Sequence, residues 1–127
     1  MLFWLWMLLI DLLIPLTMVG FGRMFMAGGP QDINDLFGYR THMSRLNRDT
    51  WVYAHRICGR FWFVAGLILL PLSVIPMLAV LGGDADTVGY VGLAVCLVQL
   101  IPLMAAVPVT ESALRKTFDE NGIRKSS

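Results

Sequence analysis

Two polar side chains that could do chemistry interrupt long apolar stretches of this chain, a carboxyl at Asp11 and an amide at Gln99. If those stretches lie in lipid, a charged carboxylate there is costly, so it is either functional or neutralised by its surroundings. One hypothesis is that Asp11 binds a proton or a ligand. The other is that it is neutral or hydrogen-bonded and faces Gln99 or Ser73 between helices. Both predict that Asp11 points into a helical bundle and away from lipid.

A second pair of candidate residues, Trp51 and His55, is spaced four residues apart, which places both on one face of a helix. Histidine titrates near neutral pH, so His55 could bind a ligand or act as a sensor. Alternatively, His55 hydrogen-bonds within its own loop and stacks against Trp51 as part of the local fold. The spacing is compatible with both roles.

A third candidate is the turn in which Arg40 and Thr41 follow Gly38 and Tyr39. The forked guanidinium of Arg40, beside a hydroxyl and turn amides, could bind a phosphate or a lipid headgroup. The alternative is that Arg40 forms an ion pair with a nearby acid and so closes the loop. The acids in question are Asp35 and Asp49.

Other chemistry is not indicated. The two histidines, His42 and His55, are 13 residues apart with no Cys or Glu to complete a metal-ligand set. Cys58 and Cys96 form no C-x-x-C pair, and no catalytic triad order, zinc-protease motif or phosphate loop is present. We therefore expect no enzymatic activity, no cofactor and no metal. The net charge of +1 gives no reason to expect a nucleic-acid partner.

The elements that must position these residues follow from composition. Hydrophobic residues make up 57% of the 127 residues and charged residues only 15%, whereas soluble domains have about 45–50% and about 25%. Three stretches supply the roughly 20 apolar residues that cross a bilayer, at about 1–22, 57–81 and 89–110. The sequence therefore predicts one all-α membrane domain with three transmembrane helices, a loop at 23–56 and a tail at 111–127.

Charge distribution predicts the orientation. All ten Lys and Arg residues lie between Arg23 and Arg60 or in the tail, and the short connection after the second span contains only Asp84 and Asp86. The positive-inside rule then places the loop and the tail in the cytoplasm and the N-terminus outside. We expect a multi-pass protein of the cell membrane, with the lipid bilayer as its first partner.

The loop itself is predicted to be ordered. Asn47 is a good N-cap, and Asp49 suits the first turn of the helix that would follow. That juxtamembrane helix carries Trp51, His55 and Gly59 on one face and runs directly into the second span. Further along this face, small residues recur every seven positions and would let another helix approach closely. They are Gly59, Gly66 and Ser73.

The segment 34–59 resembles the SdpI/YfhL family of small bacterial integral membrane proteins. The shared pattern is an Asn, then a Gly-aromatic-Arg-Thr turn, then a Trp with a His four residues later, then a Gly at the start of a helix. The matching positions are Asn34, Gly38, Tyr39, Arg40, Thr41, Asn47, Trp51, His55, Arg56 and Gly59. His42 departs from the pattern, because the family usually has proline there. The resemblance covers roughly residues 33–109.

The family is named for a member that protects its producer against a secreted peptide toxin. The resemblance therefore implies a non-enzymatic membrane protein of immunity or signalling type, whose partner is a peptide toxin or another membrane protein. An alternative is an accessory subunit or small transporter with a polar path around Asp11 and Gln99. A third hypothesis, the least favoured, is a lipid-headgroup enzyme using Arg40, His55 and Asp49.

Overall fold

The computed structural model describes residues 2–30 and 39–125. This part of the chain consists of three helices, α1 (Leu2–Met26), α2 (Arg48–Ala79) and α3 (Ala85–Thr117). It contains no β-strand beyond one isolated bridge between Phe118 and Arg124. Each helix is long and apolar enough to cross a membrane. The prediction of an all-α protein with three such helices is confirmed.

The start of α2 is fixed by a reciprocal capping box. The Asn47 side chain accepts a hydrogen bond from the Thr50 N–H, and the Thr50 hydroxyl accepts one from the Asn47 N–H. Asp84 caps α3 in a similar way, accepting from the Thr87 N–H at 2.8 Å. Both devices satisfy N–H groups that have no partner inside their own helix.

Helices α1 and α2 cross where two glycines face each other. A Cβ built on Gly22 would lie 2.8 Å from the Gly59 carbonyl oxygen, and one built on Gly59 would lie 2.5 Å from that of Gly22. Two turns further into the bundle, a Cβ on Gly66 would lie 2.9 Å from the Pro15 carbonyl oxygen. The backbones therefore touch, which is the packing that rows of small residues permit in a membrane.

Two tryptophans connect α2 to the other two helices. The Trp62 indole N–H donates to the Leu103 carbonyl at 3.1 Å, tying α2 to α3. At the other end of the bundle, the Trp4 indole N–H donates to the Met77 carbonyl at 2.6 Å, in the last turn of α2. These contacts hold the three helices in one bundle.

The chain after α3 folds back on itself. Asp119 and Ile123 are joined by a backbone hydrogen bond, and the Lys125 N–H donates to the Thr117 carbonyl at 2.9 Å. Phe118, at the start of this hairpin, is buried in the hydrophobic core. The hairpin lies at the end of the bundle where α1 and α3 finish and α2 begins. We call this the basic end.

Candidate functional site

The central polar residue at the basic end is His55, whose ring is fully buried. Its Nε2 accepts a hydrogen bond from the Tyr39 backbone N–H at 2.9 Å. Its Nδ1 lies 2.8 Å from the Trp51 carbonyl oxygen, which can only accept. The proton of the neutral ring is therefore on Nδ1, and both ring nitrogens are used within the protein.

Trp51, one turn earlier on α2, holds a different part of the loop. Its indole N–H donates to the Pro30 carbonyl at 2.9 Å, and its ring lies 4.4 Å from that of His55. Pro30 and Tyr39 stand on either side of residues 31–38, which lie outside the described part of the chain. Adjacent turns of α2 thus hold the backbone on both sides of this segment.

The chain enters this site through Gly29, which has a positive φ of 72°. A Cβ there would collide with the His55 ring, so both the backbone conformation and the close approach favour glycine. On another side of the ring, Phe25 makes an edge contact with His55 at 4.8 Å and stacks on Trp62 at 5.7 Å. The imidazole is enclosed by aromatic rings and backbone.

Tyr39 connects the loop to α3. Its hydroxyl donates to the Glu111 carboxylate at 2.9 Å and lies 3.2 Å from the Val107 carbonyl. Burial, reinforced by the Glu111 carboxylate, raises the pKa of Tyr39 well above that of an ordinary tyrosine. The phenol therefore remains a hydrogen-bond donor at any physiological pH.

Ser44 organises the loop between Tyr39 and α2. Its hydroxyl lies within hydrogen-bond distance of the Tyr39 carbonyl (3.1 Å) and of the Thr41 N–H (2.9 Å), while its N–H donates to the Thr41 hydroxyl. Its carbonyl accepts from the Thr50 hydroxyl at 3.1 Å. We refer to residues 28–30, 39–47 and the start of α2, residues 48–56, as the cap.

The C-terminal hairpin packs against the cap. The Asn47 amide donates to the Gly122 carbonyl at 2.7 Å. Arg124 binds both carboxylate oxygens of Asp49, at 2.8 and 2.9 Å, and its guanidinium lies over the rings of Phe118 and Tyr53. Of the two acids considered as partners for Arg40, Asp49 is therefore occupied by Arg124, and Asp35 lies outside the described residues.

The family-pattern residues occupy two kinds of environment. Six are buried or partly buried and make contacts inside the protein: Tyr39, Thr41, Asn47, Trp51, His55 and Gly59. Arg40 and Arg56 are exposed. Asn34 and Gly38 lie outside the described residues. The pattern thus combines a buried framework with two exposed guanidinium groups.

Asp11 and Gln99 form a separate polar cluster in the middle of the bundle. Asp11 is fully buried, and its Oδ1 accepts from the Cys96 thiol at 3.1 Å. The Gln99 amide N–H group donates to the Asp11 backbone carbonyl and to the Ser73 hydroxyl, each at 2.6 Å. Among the described residues, no donor reaches Asp11 Oδ2 or Gln99 Oε1. Asp11 therefore faces the neighbouring helices through its side chain and its backbone.

Several residues of these sites had no part in the sequence-based predictions. Thr41 and Ser44 are three residues apart, a spacing typical of side-chain turns, so Ser44 carried a usable signal. Glu111 carried none, because it meets Tyr39 across 72 positions. In the described residues no cluster of three or more His, Cys, Asp or Glu side chains could hold a metal ion.

Comparison with known proteins agrees with the motif. A model of the SdpI/YfhL protein family matches residues 31–110, which include most of the cap, all of α2 and most of α3. Asp11 and the C-terminal hairpin lie outside the match. No curated protein and no solved structure matches the chain. Because the family model covers more than half of the 127 residues, the chain belongs to the SdpI/YfhL family.

Proposed function

We propose that this membrane protein is a non-enzymatic immunity protein, which protects the cell against a secreted peptide toxin and acts through its cap. The observation that supports this function is the pair of hydrogen bonds from α2 to Pro30 and Tyr39, on either side of residues 31–38. A passive connection between two spans needs no such fixation, since flexible linkers are rich in Gly and Ser and lack a packed framework.

The exposed guanidinium groups are the contact residues in this proposal. His55 and Tyr39 have their polar atoms bonded inside the protein, so they position the cap. Arg40 and Arg56 are exposed on that frame, where a forked cation suits the carboxylates of a peptide or of a second membrane protein. Relay of a toxin-dependent signal to such a protein would use the same surface.

The test uses the native bacterium. A strain lacking the gene is challenged with culture supernatant from the parent strain, and protection is then restored with plasmid-borne variants. We expect the deletion to sensitise the cells, the wild-type chain to restore growth, and Arg40→Ala or Arg56→Ala to fail at unchanged membrane levels. Arg48→Ala, also exposed at the start of α2, is the matched control and should protect. His55→Ala should fail as well.

The outcomes of this test distinguish a structural role of the motif from a functional one. Loss of the protein from the membrane in the Arg40 and His55 variants would mean that the motif is purely structural. Full protection by both variants at normal levels would refute the role of the cap. Growth of the deletion strain in parental supernatant would refute the immunity function itself.

A second candidate function is that of a small transporter or an accessory subunit with a polar path around Asp11 and Gln99. The observation that favours it is the pair of buried oxygens, Asp11 Oδ2 and Gln99 Oε1, to which no described donor is bonded. Asp11→Asn removes the ionisable group and conserves its shape. That variant should still protect if the cap carries the function, and should fail if ion movement at Asp11 carries it.

A further inference from the structure

Three cations meet at the end of α3. Arg115 and Lys116 are in its last turn, and the hairpin returns Lys125 to the same place. The Lys125 ammonium donates to the Arg115 carbonyl at 2.6 Å, and the Lys125 N–H donates to Thr117. All three side chains are exposed. Lys125 is ten positions after Arg115 in the sequence, so it is the hairpin that brings the two side chains together.

Three of the acids nearby are engaged elsewhere. Glu111 accepts from the Tyr39 hydroxyl, and the Asp119 carboxylate accepts from two backbone N–H groups of the hairpin turn. Asp49 is bound by Arg124. Within the described ranges, Arg115, Lys116 and Lys125 form no salt bridge, and Lys125 is bonded to an uncharged carbonyl. The cluster therefore carries positive charge that the described residues do not neutralise by pairing.

These cations form the polar part of an amphipathic groove. One depression, of about 560 Å³, is lined by Pro108, Glu111, Ser112, Arg115, Lys116 and Lys125. A second, of about 580 Å³, shares Pro108, Ser112 and Lys116 with it and adds Val109 and Ala113 as an apolar wall. Arg115 and Lys125 also border a third cavity, of about 660 Å³, whose lining includes the acids Glu111, Asp119 and Glu120.

The position of the groove along α3 matches the edge of a bilayer. Pro108 and Val109 lie at the end of the third predicted span, and Lys116 lies eight residues after Pro108, roughly 12 Å along the helix axis. An amphiphile at this level would have its tail beside the apolar wall and its headgroup beside the cations. A soluble anion would contact only the cations of the groove and not its apolar wall.

We infer that this groove binds one anionic phospholipid of the leaflet at the basic end. Its phosphate would lie among Arg115, Lys116, Lys125 and the Ser112 hydroxyl, with an acyl chain along Pro108, Val109 and Ala113. A guanidinium and two ammonium groups give charge-assisted hydrogen bonds to phosphate oxygens, and each cation near a membrane surface favours anionic lipid. This site is independent of the proposed immunity function.

Native mass spectrometry of the full chain in neutral detergent tests the inference. Phosphatidylglycerol and phosphatidylcholine with identical acyl chains are the probes. Phosphatidylglycerol should be retained more tightly, and Arg115→Gln with Lys116→Gln should weaken its binding by on the order of 30-fold, from the usual contribution of two surface cations. Arg23→Gln with Arg60→Gln removes two exposed cations elsewhere at the basic end and should leave binding unchanged.

Three results would overturn the proposal: equal retention of the two lipids, an equal loss in both double variants, or binding of inorganic phosphate alone as tight as that of phosphatidylglycerol. The last would identify an anion site without a role for the acyl chain. Thermal unfolding of each variant in the same detergent checks that the substitutions leave the fold intact.

Discussion

The Tyr39 backbone N–H donates to His55 Nε2 at 2.9 Å, a hydrogen bond across 16 residues inside a fully buried site. Because the other ring nitrogen faces the Trp51 carbonyl, the ring can satisfy both partners only in its neutral form with the proton on Nδ1. A doubly protonated ring would direct an N–H at the Tyr39 N–H. The cap is therefore built around one tautomer of one histidine.

The first prediction concerns this bond. His55→Phe retains an aromatic ring but removes the acceptor, and leaves the Tyr39 N–H buried without a partner. A buried unsatisfied donor costs about 1–3 kcal/mol, so the free energy of unfolding, measured by denaturant titration in mixed micelles, should fall by about that amount. The exposed His42 is the control, and His42→Phe should change the free energy of unfolding little. Equal effects of the two substitutions would contradict the assigned role.

The second prediction concerns the crossing of α1 and α2. In Gly22→Ala the new methyl would lie 2.6 Å from the Phe63 backbone nitrogen and 2.8 Å from the Gly59 carbonyl oxygen, so the helices must separate. Overpacking of this kind costs about 1–3 kcal/mol. Gly20, two residues earlier on α1, has nothing within 4 Å of its Cβ position. Gly20→Ala should leave the free energy of unfolding unchanged or raise it slightly. Comparable destabilisation by both substitutions would show that α1 and α2 do not cross at Gly22.

The three helices could be predicted from the sequence because the patterns that indicate them are local. Long apolar runs and the small-residue row at Gly59, Gly66 and Ser73 are properties of single helices, and they predicted the spans and a close helix approach. The row does face α1 at Gly59 and Gly66, whereas Ser73 hydrogen-bonds to Gln99. Which helix each position would meet could not be read from one sequence, since that depends on how the three helices pack.

The site was less accessible to sequence reasoning. Trp51 and His55 stood out through their four-residue spacing, yet their partners, Pro30 and the Tyr39 N–H, are backbone groups, which carry no residue-type signal. The pairing of Asp49 with Arg124 was missed for another reason. It depends on a hairpin in the tail, and charges so far apart in sequence have many alternative partners.

The third prediction separates the contributions that hold the hairpin. Phe118 is 1% exposed, and a buried Phe→Ala change usually costs about 3–5 kcal/mol. Phe118→Ala should therefore abolish the slow hydrogen exchange of the Gly122 and Lys125 backbone N–H groups, both bonded within the hairpin. Arg124→Gln should have a small, salt-dependent effect, because both partners of that ion pair are about half exposed. The exposed Ile123 gives the control, Ile123→Ala. A larger effect of Arg124→Gln than of Phe118→Ala would contradict this order.

The fourth prediction is the orientation. Because every Lys and Arg lies in 23–60 or in the tail, we expect the basic end in the cytoplasm and the 80–84 connection outside. Reporter fusions at Asp84 and Ser127 should report opposite sides of the membrane. If both report the same side, the three-span topology fails; if each reports the reverse side, the orientation alone fails.

The last prediction concerns the polar cluster between the helices. Pro15 has no N–H, so the Asp11 carbonyl four residues earlier lacks its regular helical partner. The Gln99 amide donates to that carbonyl at 2.6 Å, so a side chain of α3 replaces the bond that proline removes. In Pro15→Ala, the new N–H can take over this role. Gln99→Leu should therefore destabilise the wild-type bundle more than it destabilises the Pro15→Ala variant.

A double-mutant cycle measures this difference as a coupling energy. Interhelical hydrogen bonds in membranes contribute about 0.5–2 kcal/mol, and we expect a coupling of about that size in the free energy of unfolding in mixed micelles. Pro71→Ala with Gln99→Leu is the matched control. Pro71 also lies inside a helix, but the carbonyl it leaves unpaired, four residues earlier, belongs to Leu67, and no hydrogen bond joins Leu67 to Gln99 in the described structure. That pair should be additive. Additivity of the Pro15 and Gln99 substitutions as well would show that Gln99 is not held by the carbonyl that Pro15 frees, leaving the Ser73 hydroxyl as its sole anchor.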